Sequence, residues 1–79
     1  MSDIDLEKKI LDLINDVLKI KNKINNINTH IVDIPEWDSL GNVRVILELE
    51  SIFSISILLS EIDEISTINS LVKLVMKKS

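Results

Sequence analysis

Apolar residues along this 79-residue chain recur mainly at helical spacing, and they predict four helices. The first is expected from about Ile4 to Ile20, with a start that resembles a capping box formed by Ser2 and Asp5. We expect the Asn-rich stretch that follows to end it, because Asn side chains compete for backbone hydrogen bonds. Its predicted apolar stripe is Leu6, Ile10, Leu13, Ile14 and Val17, broadened by Leu11 and Leu18.

A long connection over residues 22–38 precedes the second predicted helix. Pro35 disfavours helical backbone at Ile34 and marks the approach to a new element. The second helix is predicted to begin at Asp38 or Ser39, both good N-cap residues, and to end near Phe53. Its apolar members are Leu40, Val43, Ile46, Leu47, Leu49 and Phe53.

The last third of the chain predicts one short and one longer helix. Residues 54–59 alternate like a strand, but a single short strand has no partner here, so we interpret them as an extended loop. Ser60, followed by Asp63, predicts a short third helix over Glu61–Ile65. The fourth is expected over Ile68–Lys77, with lysines at the end that the helix dipole favours. Its apolar face is Ile68, Leu71, Val72 and Val75.

These elements predict an all-α fold, a small four-helix bundle with three longer helices and one short third helix, forming a single domain over residues 1–79. Hydrophobic residues make up 46% of the chain and are mostly aliphatic, with one Trp and one Phe. The absence of Cys excludes disulfides and thiolate metal sites. The N-terminus is acidic, unlike a signal peptide, and no apolar run reaches the ~20 residues that span a bilayer. We therefore expect a cytoplasmic protein.

The net charge of −4 is concentrated in the middle of the chain. Residues 33–64 contain eight acidic side chains and one basic side chain, whereas residues 65–79 contain three lysines and no acid. Such a field repels nucleic acid and favours partners with basic patches. A solvated surface without a partner explains the same cluster. We expect a monomer.

Catalytic and metal-binding patterns are nearly absent. His30 is the single histidine and lies in the long connection, so no catalytic triad or His-rich metal set can be assigned. Gly41 is the single glycine, which excludes a Gly-rich phosphate loop. Glu48 and Glu50 are two residues apart and do not face each other on a helix. The pattern argues against an enzyme.

Ser39 has two interpretations from its position alone. At the mouth of the second helix, Ser39 or Asp38 is a cap that contributes about 1 kcal/mol to helix stability. The same position suits a phosphate ester, because the N–H groups and the positive end of the helix dipole favour an anion. Spacing does not choose between these interpretations.

The motif Asp38-Ser39-Leu40 resembles the Asp-Ser-Leu motif of acyl carrier proteins. The rest of the chain follows the same family's register without gaps from Trp37 to about Val75. The segment Ile34–Gly41 is similar to free-standing carriers of specialised pathways. The resemblance implies a non-enzymatic carrier with an acyl-carrier-like helical bundle.

This resemblance implies that Ser39 carries 4′-phosphopantetheine. A separate phosphopantetheinyl transferase would attach the arm from coenzyme A with Mg²⁺, which makes the chain a phosphoprotein, and the thiol of the arm would hold an acyl group as a thioester. Asp38 would help to present the site, and Leu40 completes the motif. The implied setting is fatty-acid, polyketide-like or other specialised biosynthesis, with acyl-loading and acyl-transferring enzymes as partners.

The resemblance also implies roles for residues beyond the motif. Four apolar positions match those that guide the arm or line the acyl cavity, although each also has an interpretation as ordinary core: Val43, Leu47, Ile57 and Ile65. For Ile65 the two interpretations are equally favoured. Partner recognition is assigned to Arg44, Glu48 and Glu50.

Arg44 departs from the family pattern, because it stands where an acidic residue is usual. Ser51 and Ile52 occupy positions where further acids are common. A partner built for a uniformly acidic helix would bind this helix less well, because a like-charge contact replaces an attractive one. We therefore expect a dedicated carrier of one biosynthetic cluster.

Two other functions stay open at this point. The arm could carry aminoacyl or peptidyl groups in a non-ribosomal pathway. Alternatively, the chain is an unmodified helical interaction module in which Ser39 acts only as a cap.

Overall fold

A computed structural model describes residues 3–79, with side chains from residue 4 onward. It contains four α-helices, with a single 3-10 turn in the connection between the first two. The predicted all-α fold with one short third helix is confirmed. The predicted cap at Ser2 lies outside the described residues. The helices are α1 (Asp3–Leu18), α2 (Ser39–Phe53), α3 (Leu59–Ile62) and α4 (Ile68–Lys78), and the 3-10 turn is Ile31–Asp33.

Helix α1 ends at Leu18, two residues before the predicted end. Lys19 adopts left-handed backbone with φ of 50°, and the Ile20 N–H donates to the Asn15 carbonyl over 3.1 Å. This is a Schellman-type end, in which a turn satisfies carbonyls that the helix leaves open. The helix therefore ends through the backbone of Lys19, and our expectation that the Asn-rich stretch ends it was wrong.

Helix α2 ends in the same way. Ser54 has φ of 55°, and the Ile55 N–H donates to the Glu50 carbonyl over 3.2 Å. Neither this position nor Lys19 is a glycine, so the sequence carries no mark of these two turns.

Helix α3 spans Leu59–Ile62, two to three residues before the predicted Glu61–Ile65. The Glu61 carboxylate accepts the Leu58 N–H over 2.8 Å, which satisfies the donor ahead of the helix. Ser60 is therefore inside the helix and is not its cap. Glu61 also pairs with Lys78 of α4 over 2.8 Å, and this hydrogen bond, followed by the one from Leu58, lowers the pKa of Glu61.

The buried core lies between α1, α2 and α4. In α1 and α4 the predicted apolar faces are confirmed at the fully or nearly fully buried positions Leu6, Ile10, Leu13, Ile14, Ile68, Leu71, Val72 and Val75. The apolar residues of α2 divide between two faces. Val45, Ile46 and Leu49 are buried, whereas Leu40, Val43 and Leu47 are exposed.

The connection from α1 to α2 is attached to α1 and to α4. Asn15, buried in α1, donates from Nδ2 to the Ile24 carbonyl and accepts the Ile24 N–H at Oδ1, each over 2.9 Å. At the start of α4, the N–H groups of Ile68 and Asn69 donate to the carbonyls of Thr29 and Ile27, over 3.2 and 2.7 Å. The connection therefore supplies acceptors that the first turn of α4 lacks.

His30 lies within this connection and is exposed. It forms an isolated antiparallel bridge with Thr67, in which the Ile31 N–H donates to the Ser66 carbonyl over 2.9 Å. The contribution of this segment to the fold is thus made by its backbone.

Replacing Asn15 with Ala is expected to lower the free energy of unfolding by about 2 kcal/mol, because both polar groups of Ile24 lose their partner in a partly buried site. Urea unfolding measures the change. Asn25→Ala, an exposed amide in the same connection, is the matched control and should shift stability by less than about 0.5 kcal/mol. Equal effects of the two substitutions would contradict the anchoring role of Asn15.

Candidate functional site

The first turn of α2 is capped by Asp38. Its backbone is extended, with φ of −91° and ψ of −171°, and its Oδ1 accepts the Gly41 N–H over 2.7 Å. The Asp38 carbonyl accepts the Asn42 N–H over 2.8 Å, which is the first hydrogen bond of the helix. Ser39 is consequently the first helical residue, and the interpretation in which Ser39 serves as the cap was wrong.

The Ser39 side chain lies at the surface on this first turn. Asp38, Ser39 and Leu40 are all exposed, so the three residues of the motif are accessible from solvent. The N-terminal end of a helix carries a partial positive charge and N–H groups that favour a bound phosphate. A phosphate ester on Ser39 Oγ would therefore fit this position without displacing a buried group.

Gly41 allows the start of α2 to lie close against the rest of the protein. A Cβ atom at this position would lie 2.8 Å from Leu18 Cδ2 and 2.9 Å from the Glu36 carbonyl oxygen. The second contact is with backbone, which cannot move aside as a flexible side chain can. The one glycine of the chain is thus required by packing beside Ser39, a role that the sequence analysis did not assign.

The chain just before the site is fixed by Trp37 and Glu36. Trp37 is buried, and its Nε1 donates to Asn42 Oδ1 over 3.0 Å. Glu36 Oε2 accepts the Lys21 N–H over 3.1 Å. No function was predicted for Trp37 or Asn42, although a lone Trp two residues before Ser39 was a usable signal. These bonds hold the turn that leads into the site.

A cleft of about 190 Å³ lies beside the first turn, between the end of α1 and the start of α2. Two cations, Lys19 and Arg44, and two carboxylates, Glu36 and Asp38, are among the residues that line it. The charges of the cleft therefore balance, and the positive end of the helix dipole is the feature beside Ser39 that favours a phosphate.

The four apolar residues predicted to contact the arm or the acyl chain do not share one environment. Val43 and Leu47 are exposed on α2, Ile57 is buried in the core, and Ile65 is partly buried. With Leu40, the two residues of α2 form a row that starts next to Ser39 and has helical spacing. The row offers an apolar path along the surface.

The predicted recognition residues also differ from one another. Arg44 and Glu48 are exposed, as recognition requires. Glu50 is partly buried, and its Oε2 accepts the Ile57 N–H over 2.9 Å. This carboxylate is therefore hydrogen-bonded within the protein. The sequence did not indicate the bond, because its two partners are seven residues apart.

Within residues 3–79, no cluster of three or more His, Asp or Glu side chains is arranged to hold a metal ion. Along the same residues, no helix combines the length and apolar character needed to cross a membrane.

Comparison with known protein families shows the family to which the chain belongs. The sequence profile described as the phosphopantetheine attachment site matches residues 8–75, which include the whole of α2. The chain belongs to this family. Members of the phosphopantetheine attachment family are carriers for the covalently bound 4′-phosphopantetheine group and are not enzymes.

A solved structure supports the same fold for this carrier domain. The crystal structure of an acyl carrier protein from Thermotoga maritima superimposes with a TM-score of 0.82. The match covers 99% of this chain and 91% of that chain, at 19% sequence identity. The comparison with curated proteins found no match. The structural likeness establishes the acyl-carrier-like helical bundle that the sequence predicted.

The cap assignment predicts unequal effects for two neighbouring substitutions. Asp38→Ala should lower the free energy of unfolding by about 1 kcal/mol, because the Gly41 N–H loses its acceptor. Ser39→Ala should change it by less than about 0.5 kcal/mol, since the side chain is exposed and does not cap the helix. Thermal or urea unfolding compares them, with Asp38→Asn as the cap-retaining control. A larger loss for Ser39→Ala than for Asp38→Ala would place the cap on Ser39.

Proposed function

We propose that this chain is an acyl carrier protein that holds acyl intermediates as thioesters on a 4′-phosphopantetheine arm attached through Ser39 Oγ. The observation that carries the proposal is the exposed hydroxyl of Ser39 on a first turn whose cap is provided by Asp38. A serine that also capped the helix would lose that hydrogen bond on modification. Modification of Ser39 therefore removes no capping hydrogen bond from the helix.

Activation of the hydroxyl is assigned to an external transferase. The neighbouring carboxylate of Asp38 is already bonded to the Gly41 N–H, and the single His30 lies in the connection that bridges to Thr67. In the transfer, Ser39 Oγ would form a bond to the pantetheine-bearing phosphorus of the coenzyme A pyrophosphate. The pyrophosphate P–O bond at that phosphorus breaks, adenosine 3′,5′-bisphosphate leaves, and the serine proton passes to the transferase. The attached group supplies the thiol that this Cys-free chain lacks.

The residues around Ser39 would hold the arm in two ways. Lys19 and Arg44, which line the cleft beside the first turn together with Glu36 and Asp38, would pair with the phosphodiester charge. Leu40, Val43 and Leu47 would give the arm and its cargo an apolar surface to lie along. Asp38 would maintain the conformation of the first turn, through its hydrogen bond with the Gly41 N–H, while the arm is attached.

We further propose that the carrier serves one specialised pathway. Its exposed α2 residues include Arg44 in place of the usual acid, which disfavours partners built for a uniformly acidic helix. The cargo in this proposal is an acyl group of fatty-acid, polyketide-like or related biosynthesis. A single domain over residues 1–79, a monomeric state and a cytoplasmic location stay predictions.

The attachment is tested by intact-protein mass after incubation with coenzyme A, Mg²⁺ and a broad-specificity phosphopantetheinyl transferase. The wild-type chain should gain the mass of one phosphopantetheinyl group, and Ser39→Ala should gain none. Ser51→Ala, an exposed serine on the same helix, is the matched control and should be modified like the wild type.

Two results would contradict the proposal. A wild-type chain that stays unmodified under conditions that modify a control carrier would favour the helical interaction module. Modification that persists in Ser39→Ala would place the arm on another residue.

A further inference from the structure

One side-chain hydrogen bond spans the motif that contains Ser39. Trp37 precedes the motif, and its Nε1 donates over 3.0 Å to Oδ1 of Asn42, which follows it. Trp37 is 9% exposed, and its backbone N–H donates to the Ile34 carbonyl over 3.1 Å. The amide of Asn42 is therefore bonded to a side chain that is itself buried and anchored.

The donor in this bond decides the orientation of the Asn42 amide. An indole N–H donates and cannot accept, so the amide atom that faces Trp37 is the oxygen. The Nδ2 group, with its two N–H donors, is consequently turned away from the indole. Among residues 3–79, Nδ2 has no hydrogen-bond partner. Because no unpartnered side-chain nitrogen or oxygen atom is buried in the same range, Nδ2 is open to solvent.

Ser39 and Asn42 are neighbours on the surface of α2. Side chains three residues apart on a helix lie on one face, with Cβ atoms about 5–6 Å apart. A helical side chain also tilts toward the N-terminal end of its helix. The bond to Trp37, five residues earlier in the chain, shows that the Asn42 amide extends back over this first turn. A group attached to Ser39 Oγ would consequently lie within reach of the amide.

We infer that Asn42 binds the phosphodiester of the arm by donating from Nδ2 to one of its unesterified oxygens, and that Trp37 is a positioning residue for this contact. The inference rests on the proposed function, since this phosphodiester is the one attached through Ser39. A phosphodiester carries a negative charge, and a hydrogen bond to a charged acceptor is stronger than one between neutral groups. The added donor offsets part of the repulsion from the exposed carboxylate of Asp38, which is adjacent to Ser39 in the chain.

A purely structural role for the bond between Trp37 and Asn42 makes a different prediction. A bond that only fixes the turn would contribute equally to the stability of the unmodified and the modified chain. A contact with the phosphodiester contributes only after the arm is attached, because its acceptor is absent before. The effect of the arm on stability, compared between variants, therefore separates the two roles.

Asn42→Asp keeps an oxygen that can accept from Trp37, and it replaces the amide donor with a carboxylate that repels the phosphodiester. Urea unfolding is measured for the wild type and the variant, each before and after modification with coenzyme A, Mg²⁺ and a broad-specificity phosphopantetheinyl transferase. The arm should raise the folding equilibrium constant of the wild type about fivefold more than that of Asn42→Asp. Asn25→Asp, an exposed amide in the connection after α1, is the matched control, and the arm should affect it as it affects the wild type.

Nuclear magnetic resonance gives a second readout, on the contact itself. Trp37 is the one Trp of the chain, which identifies its indole N–H signal, and the Asn42 side-chain signal is the one that Asn42→Asp removes. Attachment of the arm should move one Asn42 amide proton downfield and should also shift the indole signal, because linked hydrogen bonds polarise one another. Trp37→Phe retains an aromatic ring but lacks the donor, so the downfield movement should be smaller in that variant.

The outcomes separate this inference from the proposed function. Equal effects of the arm on the wild type and Asn42→Asp, or an Asn42 signal that does not move on modification, would overturn the phosphodiester contact and leave the carrier function standing. A downfield movement of the same size in Trp37→Phe would remove the positioning role of Trp37. A wild-type chain that stays unmodified, under conditions that modify a control carrier, would overturn the carrier function and the contact together.

Discussion

The first turn of α2 contains N–H groups that the helix itself cannot satisfy, and one of them is satisfied by Asp38. Because Asp38 Oδ1 accepts the Gly41 N–H, the adjacent Ser39 enters the helix with an exposed side chain that has no structural duty. The packing of Gly41 against Leu18 and the Glu36 carbonyl fixes where this turn lies. The accessibility of Ser39, and with it the proposed attachment of the arm, depends on this arrangement.

Unsatisfied backbone groups also explain how the rest of this small domain holds together. The first turn of α4 takes acceptors from the connection after α1, and Asn15 ties that connection to α1 through both polar groups of Ile24. Glu50 holds the start of the segment that leads to α3 through the Ile57 N–H. Most of these acceptors are distant in sequence, so the long connections are structural parts of the fold.

The sequence was sufficient for the parts of the fold that follow from periodicity and family register. Apolar spacing predicted α1 and α4 and their buried faces, because a core face must repeat with the helix. The N-cap preferences of Asp38 and Ser39 predicted where α2 begins, whereas the attachment of an arm to Ser39, implied by the family register, stays a prediction. The predicted end of α2 near Phe53 is confirmed, but the left-handed turns at Lys19 and Ser54 were not predictable, because neither residue is a glycine. The hydrogen bond between the Ile57 N–H and Glu50 was equally unpredictable, since it depends on how two segments pack.

The central claim, that Ser39 carries the arm, is tested most directly on protein isolated from its native host. Trypsin cleavage after Lys23 and Arg44 releases residues 24–44, a peptide in which Ser39 is the only serine. Peptide mass spectrometry should find one phosphopantetheinyl group on that peptide. A native peptide that is entirely unmodified, or a phosphopantetheinyl group on the peptide of residues 45–73, would contradict the account.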